Sequence, residues 1–235
     1  MKQSLLTYKN SNQKQEKQAL GLPLLDNSVI TARKARLDTE VEWGDKSGAT
    51  MRRIRRFYQR FFTGVAVGGR LRFLTLTSSD AAVAEGLDIH RSWRCLLMRL
   101  RRRFGAFEYI GVREIKSDRQ HLHLVFRGSY IEQLLISDLW VEIHHSPIVD
   151  IRAMYKVRGG ARELAKYIGK EICNRYWCSY NWVFRGWVSW SRKVRQVRGY
   201  FPSKTILAIL ARISDRAKRK LALFALCPEL GLDYG

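Results

Sequence analysis

Glu114-Ile115-Lys116-Ser117-Asp118-Arg119-Gln120-His121-Leu122-His123-Leu124 reads as two strands joined by a tight turn. Residues two apart in a strand share a face, so His121 and His123 point together while Leu122 and Leu124 point to the opposite side. If Ser117 and Asp118 form a two-residue hairpin turn, Glu114 pairs directly with His121. Its carboxylate then joins the imidazoles on one face, about 5 Å away at Cβ. Two imidazoles and a carboxylate suit a divalent metal, Mg²⁺ or Mn²⁺, and leave positions for water and a phosphate oxygen. His-x-His alone would equally describe a half-exposed strand. The placement of Glu114 is what favours the metal.

Outward from this hairpin the pattern is regular. Residues 70–77 alternate as a strand, and 107–115 and 121–127 are two more. Residues 87–104 place Ile89, Trp93, Leu96, Leu97, Leu100 and Phe104 at helical spacing and stop at Gly105. Residues 131–143 read as a helix with Leu134, Leu135 and Leu139 inward. Residues 148–157 read as a fourth strand and 160–174 as a last helix. The order βαββαβ followed by α predicts an α+β fold of the ferredoxin-like, split βαβ type. That fold is an antiparallel sheet with helices on one face, the other face being open to a ligand.

The last helix carries Tyr167 and Lys170, three apart and therefore on one face. A phenol with a pKa near 10 is a poor nucleophile at neutral pH. A metal-polarised phosphate and a nearby ammonium would compensate. Taken alone, the pair also fits an amphipathic helix with one packed tyrosine. His144-His145, just before Pro147, reads as helix capping or surface.

Three regions follow. Residues 1–49 are polar with mixed charges and read as an arm lacking the makings of a core. Residues 50–175 hold the split βαβ pattern behind a leading basic helix. In that helix Arg52, Arg53, Arg55 and Arg56 stand among Ile54, Phe57 and Phe61, which suits either a DNA-backbone contact or a solvated charged face. Residues 176–235 form an aromatic and basic extension. There Trp177, Trp182, Trp187 and Trp190 precede Arg192, Lys193, Arg195 and Arg198. The cations are expected to meet phosphate, as is Lys166. The tryptophans either stack unpaired bases or pack a small core.

The 235 residues contain 43 Lys and Arg against 21 Asp and Glu, a formal net charge of +22. Such an excess predicts a polyanionic partner, nucleic acid first and an anionic membrane surface second. A basic ribosomal-type protein is the plain alternative. A hydrophobic share of 46% excludes a basic disordered tail. No apolar run long enough to span a membrane is present, and the first residues lack the apolar core of a signal peptide. The expectation is a protein that is neither secreted nor membrane-bound. The four cysteines include no Cys-x-x-Cys pair and read as free thiols.

Three stretches, taken in order, resemble a known family. Phe73-Leu74-Thr75-Leu76-Thr77, then Glu114 with His121-Leu122-His123, then Tyr167-Ile168-Gly169-Lys170 are similar to the three motifs of HUH endonucleases. Specifically they resemble those of rolling-circle replication initiators of small plasmids and viruses, over residues 70–174. The resemblance implies that His121, His123 and Glu114 bind the metal. Tyr167 would attack DNA to leave a 5′-phosphotyrosine and a free 3′-hydroxyl, and Lys170 would position phosphate or metal. Some members carry two tyrosines in the third motif; here Glu163 stands one turn before Tyr167. Tyr155 is the weaker candidate nucleophile. The implied partner is single-stranded or hairpin origin DNA, in the cytoplasm or wherever the replicon's DNA resides. No phosphate loop of a fused helicase is present, which implies a separate helicase and polymerase of the host. Single-tyrosine transposases and plasmid relaxases share this chemistry. A non-catalytic basic RNA- or DNA-binding module is the reading of another class. It is weakened by histidines on central strands where stacking aromatics would be wanted.

Overall fold

The computed structural model describes residues 48–170 and 176–231. The expected N-terminal arm lies outside them apart from residues 48 and 49, as does the end of the last predicted helix, 171–174. The chain divides into two compact units. The first takes in residues 48–61 and 68–182, the second 62–67 and 183–231.

In the first unit, α1 (Gly48–Ala66) leads into β1 (Leu71–Thr77), a short α2 (Asp80–Ala84) and α3 (Ile89–Phe104). The last residues of α1, 62–66, group with the second unit. Then come β2 (Glu108–Lys116), β3 (Arg119–Arg127), α4 (Gln133–His144), β4 (Val149–Ala153), α5 (Val157–Lys170) and β5 (Tyr176–Cys178). The five strands lie in the order β4-β1-β3-β2-β5, all neighbours antiparallel. The first four give the split βαβ arrangement expected from the sequence. The fifth adds an edge beside β2, so 176–178 belong to the sheet although they read as part of the extension.

The hairpin forms as its residues dictate. Ser117 and Asp118 both take positive φ, 50° and 63°, the requirement of a two-residue turn whose twist matches the strands. The register that follows pairs Glu114 with His121 and Val112 with His123. On β3's other side, Thr75 pairs with His123 and Thr77 with His121.

One sheet face carries Leu74, Leu76, Leu122, Leu124, Phe126 and Val149, buried with Ile89, Trp93, Leu96 and Leu100 of α3 and Ile136 and Trp140 of α4. Asp88 caps α3 by accepting the Arg91 amide at 2.7 Å, and Gly105 closes it at φ 78°. The inward stripe of α4 is Ile136, Trp140 and His144, not the one centred on Leu134. Leu134 is 70% exposed, because residues two apart on a helix point about 200° away from each other. Leu135 and Leu139 do pack on the core.

The opposite face is covered in part. Ile110, Val112 and Val125 are buried there, with α5 lying against β2 and β3 and contributing Ala161, Leu164 and Ile168 to the buried set. From α1, Phe57 meets Tyr176 of β5 at 5.4 Å between ring centroids. Ile54, Phe57 and Phe61 are buried, while Arg52, Arg55 and Arg56 of the same helix stay exposed. Arg53 is half-buried and donates to Thr50 Oγ1 at 2.9 Å.

The second unit holds α6 (Trp187–Arg198), α7 (Tyr200–Ala211) and α8 (Arg216–Leu226), closed by a 3₁₀ turn at Pro228–Gly231. Its buried residues include Trp187, Val194, Ile206, Leu207, Leu210 and Leu223. Arg219 is buried as well; it donates to the Leu210 carbonyl at 3.0 Å and lies 4.6 Å over the Phe184 ring. Among the described residues no helix is long and apolar enough to cross a membrane.

Candidate functional site

Strand β3 puts His121 and His123 side by side on the partly covered face. Their rings lie 6.1 Å apart and within 13° of parallel. Each imidazole is held from β1: Thr77 Oγ1 lies 3.0 Å from His121 Nδ1, and Thr75 Oγ1 lies 3.3 Å from His123 Nδ1. The alternation Thr75-Leu76-Thr77 therefore carries out a task that composition alone does not announce. Its signal lies in the antiparallel register, which sets Thr-x-Thr opposite His-x-His.

Glu114 reaches the pair from β2. Its Oε2 lies 3.2 Å from His123 Nε2, and both side chains are buried. Burial is the leading cause that holds both histidines below the ordinary imidazole range, with Glu114 opposing it. Neutral imidazole is the form that ligates metal. A carboxylate accepts only, so at neutral pH the proton sits on His123 Nε2 and Nδ1 accepts from Thr75. A hydroxyl serves either tautomer, so Thr75 can hold the ring equally when Nε2 gives up its proton.

Helix α5 lays Tyr167 over this array. The Tyr167 and His123 rings stack at 4.0 Å and 4°, so Tyr167, His123 and His121 form one file of rings. The phenol donates to Glu163 Oε1 at 2.7 Å, and Lys166 Nζ donates to Glu163 Oε2 at 2.7 Å. Burial first, then the hydrogen bond and charge of Glu163, push the Tyr167 hydroxyl well above its ordinary value. Burial works against ionisation of Glu163, but the hydrogen bonds from Lys166 and Tyr167 hold its carboxyl below the usual range. Glu163 is the site residue that motif reading passes over, noting it only as the place where a second tyrosine would stand.

The other predicted residues fall as follows. Lys170 closes α5, and its side chain lies outside the described residues. Lys166 is exposed but spends its charge on Glu163. Tyr155 is 90% exposed in the loop between β4 and α5. Arg192 and Lys193 are exposed on α6 and Arg195 is half-buried, whereas Arg198 donates to the Leu226 carbonyl and pairs with Glu229, each at 3.2 Å. The tryptophans pack. Trp182 and Trp187 are buried, Trp177 lies 4.3 Å from the His90 ring, and Trp190 lies 5.4 Å from Phe184. His144 is a correction: it is not at the surface but fully buried, 2.8 Å from Ser78 Oγ and 2.9 Å from Ser92 Oγ. His145 is the cap, left-handed at φ 47° and paired with Glu85.

Among the described residues, no three His, Cys, Asp or Glu side chains are gathered as a preformed metal cluster. Two donors are nonetheless in place. Ligands at right angles on an octahedral ion, each about 2.1 Å from it, stand about 3 Å apart. The separation between Glu114 Oε2 and His123 Nε2 is 3.2 Å.

No curated protein and no solved structure matches the chain. Residues 71–172 match a family model, that of the replication-associated proteins of the ORF2 type. The matched segment runs from the start of β1 past the end of α5 and contains every residue of the ring file, Glu114 and Glu163. This similarity supports a replication protein of the Rep type.

Proposed function

We propose that this chain is an endonuclease and strand-joining enzyme that initiates replication at a single-stranded or hairpin DNA origin. The observation that carries the reading is the file of rings Tyr167, His123 and His121, with Glu114 on the same face, inside the segment that resembles replication-associated proteins. Tyr167 is the nucleophile. Attack by its oxygen on the scissile phosphorus leaves a 5′-phosphotyrosine and a 3′-hydroxyl that can prime synthesis. The covalent link conserves the bond energy for rejoining, so the step needs no nucleotide triphosphate.

Glu114, His123 and His121 would hold Mg²⁺ or Mn²⁺. The bound ion supplies Lewis-acid polarisation of the phosphate. The protein's own part is to hold the imidazoles through Thr75 and Thr77, to seat the phenol against His123, and to exclude water from its buried side. Exposed Arg52, Arg55 and Arg56 on α1 and Arg192 and Lys193 on α6 are suited to backbone phosphate.

The test uses single-stranded oligonucleotides tiling the DNA around the gene, incubated with the full chain and Mn²⁺. A protein–DNA adduct stable to denaturing gels is expected. It should disappear in chelator, and in Tyr167→Phe with DNA affinity retained. Undiminished adduct from Tyr167→Phe would move the nucleophile, with Tyr155 examined next. Cleavage without any adduct would point to water as nucleophile and end the reading.

A further inference from the structure

If Tyr167 is to bond phosphorus, its phenolic proton must go somewhere, and a carboxylate stands one turn earlier on the same helix. The two oxygens of Glu163 are divided: Oε1 accepts from Tyr167 Oη and Oε2 from Lys166 Nζ, both at 2.7 Å. The i, i+4 spacing on α5 makes this contact a property of the helix rather than of a loop. The other nearby carboxylate, Glu114, is turned onto His123 Nε2, so the two acids of the site face different partners. Where some proteins of the resembling family place a second tyrosine, this chain places an acid.

We propose that Glu163 is the general base for Tyr167 in strand cleavage and the general acid in strand joining. The inference rests on the endonuclease reading and assigns one further catalytic residue within it. In cleavage the Tyr167 Oη–P bond forms and the P–O3′ bond breaks. The phenolic proton passes to Glu163 Oε1, and the leaving 3′-oxygen takes a proton from solvent. In joining the incoming 3′-hydroxyl gives its proton to solvent, P–O3′ forms and P–Oη breaks. The Glu163 carboxylic acid then returns its proton to the phenolic oxygen, so the same group ends ionised and ready. Lys166 is a positioning residue: by occupying Oε2 it leaves Oε1 to the phenol. General-base assistance of this kind typically contributes about 10²–10⁴-fold in rate.

The experiment is single-turnover adduct formation by the full chain on an oligonucleotide that the wild type attacks, with Mn²⁺. Absence of wild-type adduct on every oligonucleotide would overturn the endonuclease reading itself, and this inference with it. Given wild-type activity, Glu163→Gln should slow adduct formation about 100-fold, with oligonucleotide affinity and thermal midpoint unchanged. Glu163→Ala, which suits a helix interior, should be equally slow and should recover with added formate, the rate saturating as formate fills the vacated space. A merely structural role would give no formate response. A Glu163→Gln rate within about threefold of wild type, far short of the general-base range, would overturn the proposal. So would a slow Glu163→Ala that formate leaves unchanged, which would assign Glu163 to holding the ring alone.

Discussion

His144 shows how one side chain can be read correctly by type and wrongly by place. Histidine near a helix C-terminus suits the helix dipole, and His145 fills that role at the surface. His144, one residue earlier, turns inward between two serine hydroxyls. Burial, its largest cause, pulls its pKa from 6.5 to about 4. The sign of the linkage follows. Between about pH 6.5 and pH 4 the unfolded chain binds a proton that the folded chain refuses, so folding stability is full above this window and falls as pH drops through it. The expected loss between about pH 7 and pH 4 is on the order of 2–3 kcal/mol. Urea unfolding midpoints against pH should show it. His144→Gln, which keeps hydrogen-bonding capacity without titrating in this range, should flatten that part of the curve. An unchanged slope would place the acid sensitivity elsewhere.

At the scale of elements the β2–β3 hairpin sets the site. Its register depends on the two-residue turn at one end and on close strand approach at Gly111. Gly111 pairs with Leu124 on the helix-covered face. A Cβ there would meet the Leu124 side chain and stand 2.8 Å from the His123 carbonyl oxygen. The leucine can rotate, but the carbonyl is part of the strand that carries the histidine. Gly111→Ala should therefore destabilise the fold by about 2–3 kcal/mol, lowering the thermal midpoint by roughly 5–10 °C. It should also lower metal affinity more than an equally destabilising change in α4 would, because the strain falls on His123. Calorimetric unfolding and Mn²⁺ titration of the two variants separate these effects. Helix α5 belongs to the same scale. Its apolar side packs on β2 and β3, and that packing brings Tyr167 onto His123.

For the molecule as a whole the charge is the governing quantity. A net +22 draws polyanions without choosing among them, and the side chains that reach the ligand are what choose. On α6 the cations divide by exposure. Arg192 and Lys193 face solvent, while Arg198 ties α6 to the Leu226 carbonyl and Glu229. Changing Arg192 and Lys193 together to Ala should lower the salt slope of single-strand binding by about 1.4, or about 0.7 for each phosphate no longer neutralised, with stability untouched. Arg198→Ala should instead lower the thermal midpoint with a smaller change in slope. Fluorescence anisotropy across a salt series distinguishes the pairs. Equal slopes for wild type and Arg192→Ala/Lys193→Ala would remove α6 from the DNA path.

Much of this is legible in the residues alone, and the reason is locality. Strand alternation has period two, so His121 and His123 had to share a face. A two-residue turn at Ser117-Asp118 then left Glu114 opposite His121. Helical spacing placed α3, α4 and α5, and element order restricted the sheet to a split βαβ pattern. What the sequence did not disclose depends on packing between segments far apart in the chain. Thr75 and Thr77 matter because β1 lies against β3. β5 forms because 176–178 find the free edge of β2, a pairing that three residues do not signal. His144 is buried because α4 turns its 136/140/144 stripe, not Leu134, toward the sheet. The stacking of Tyr167 on His123 arises where α5 meets the sheet, and with the phenol seated there its hydroxyl is directed to Glu163. Local periodicity named the residues of the site; packing between elements decided which of them touch.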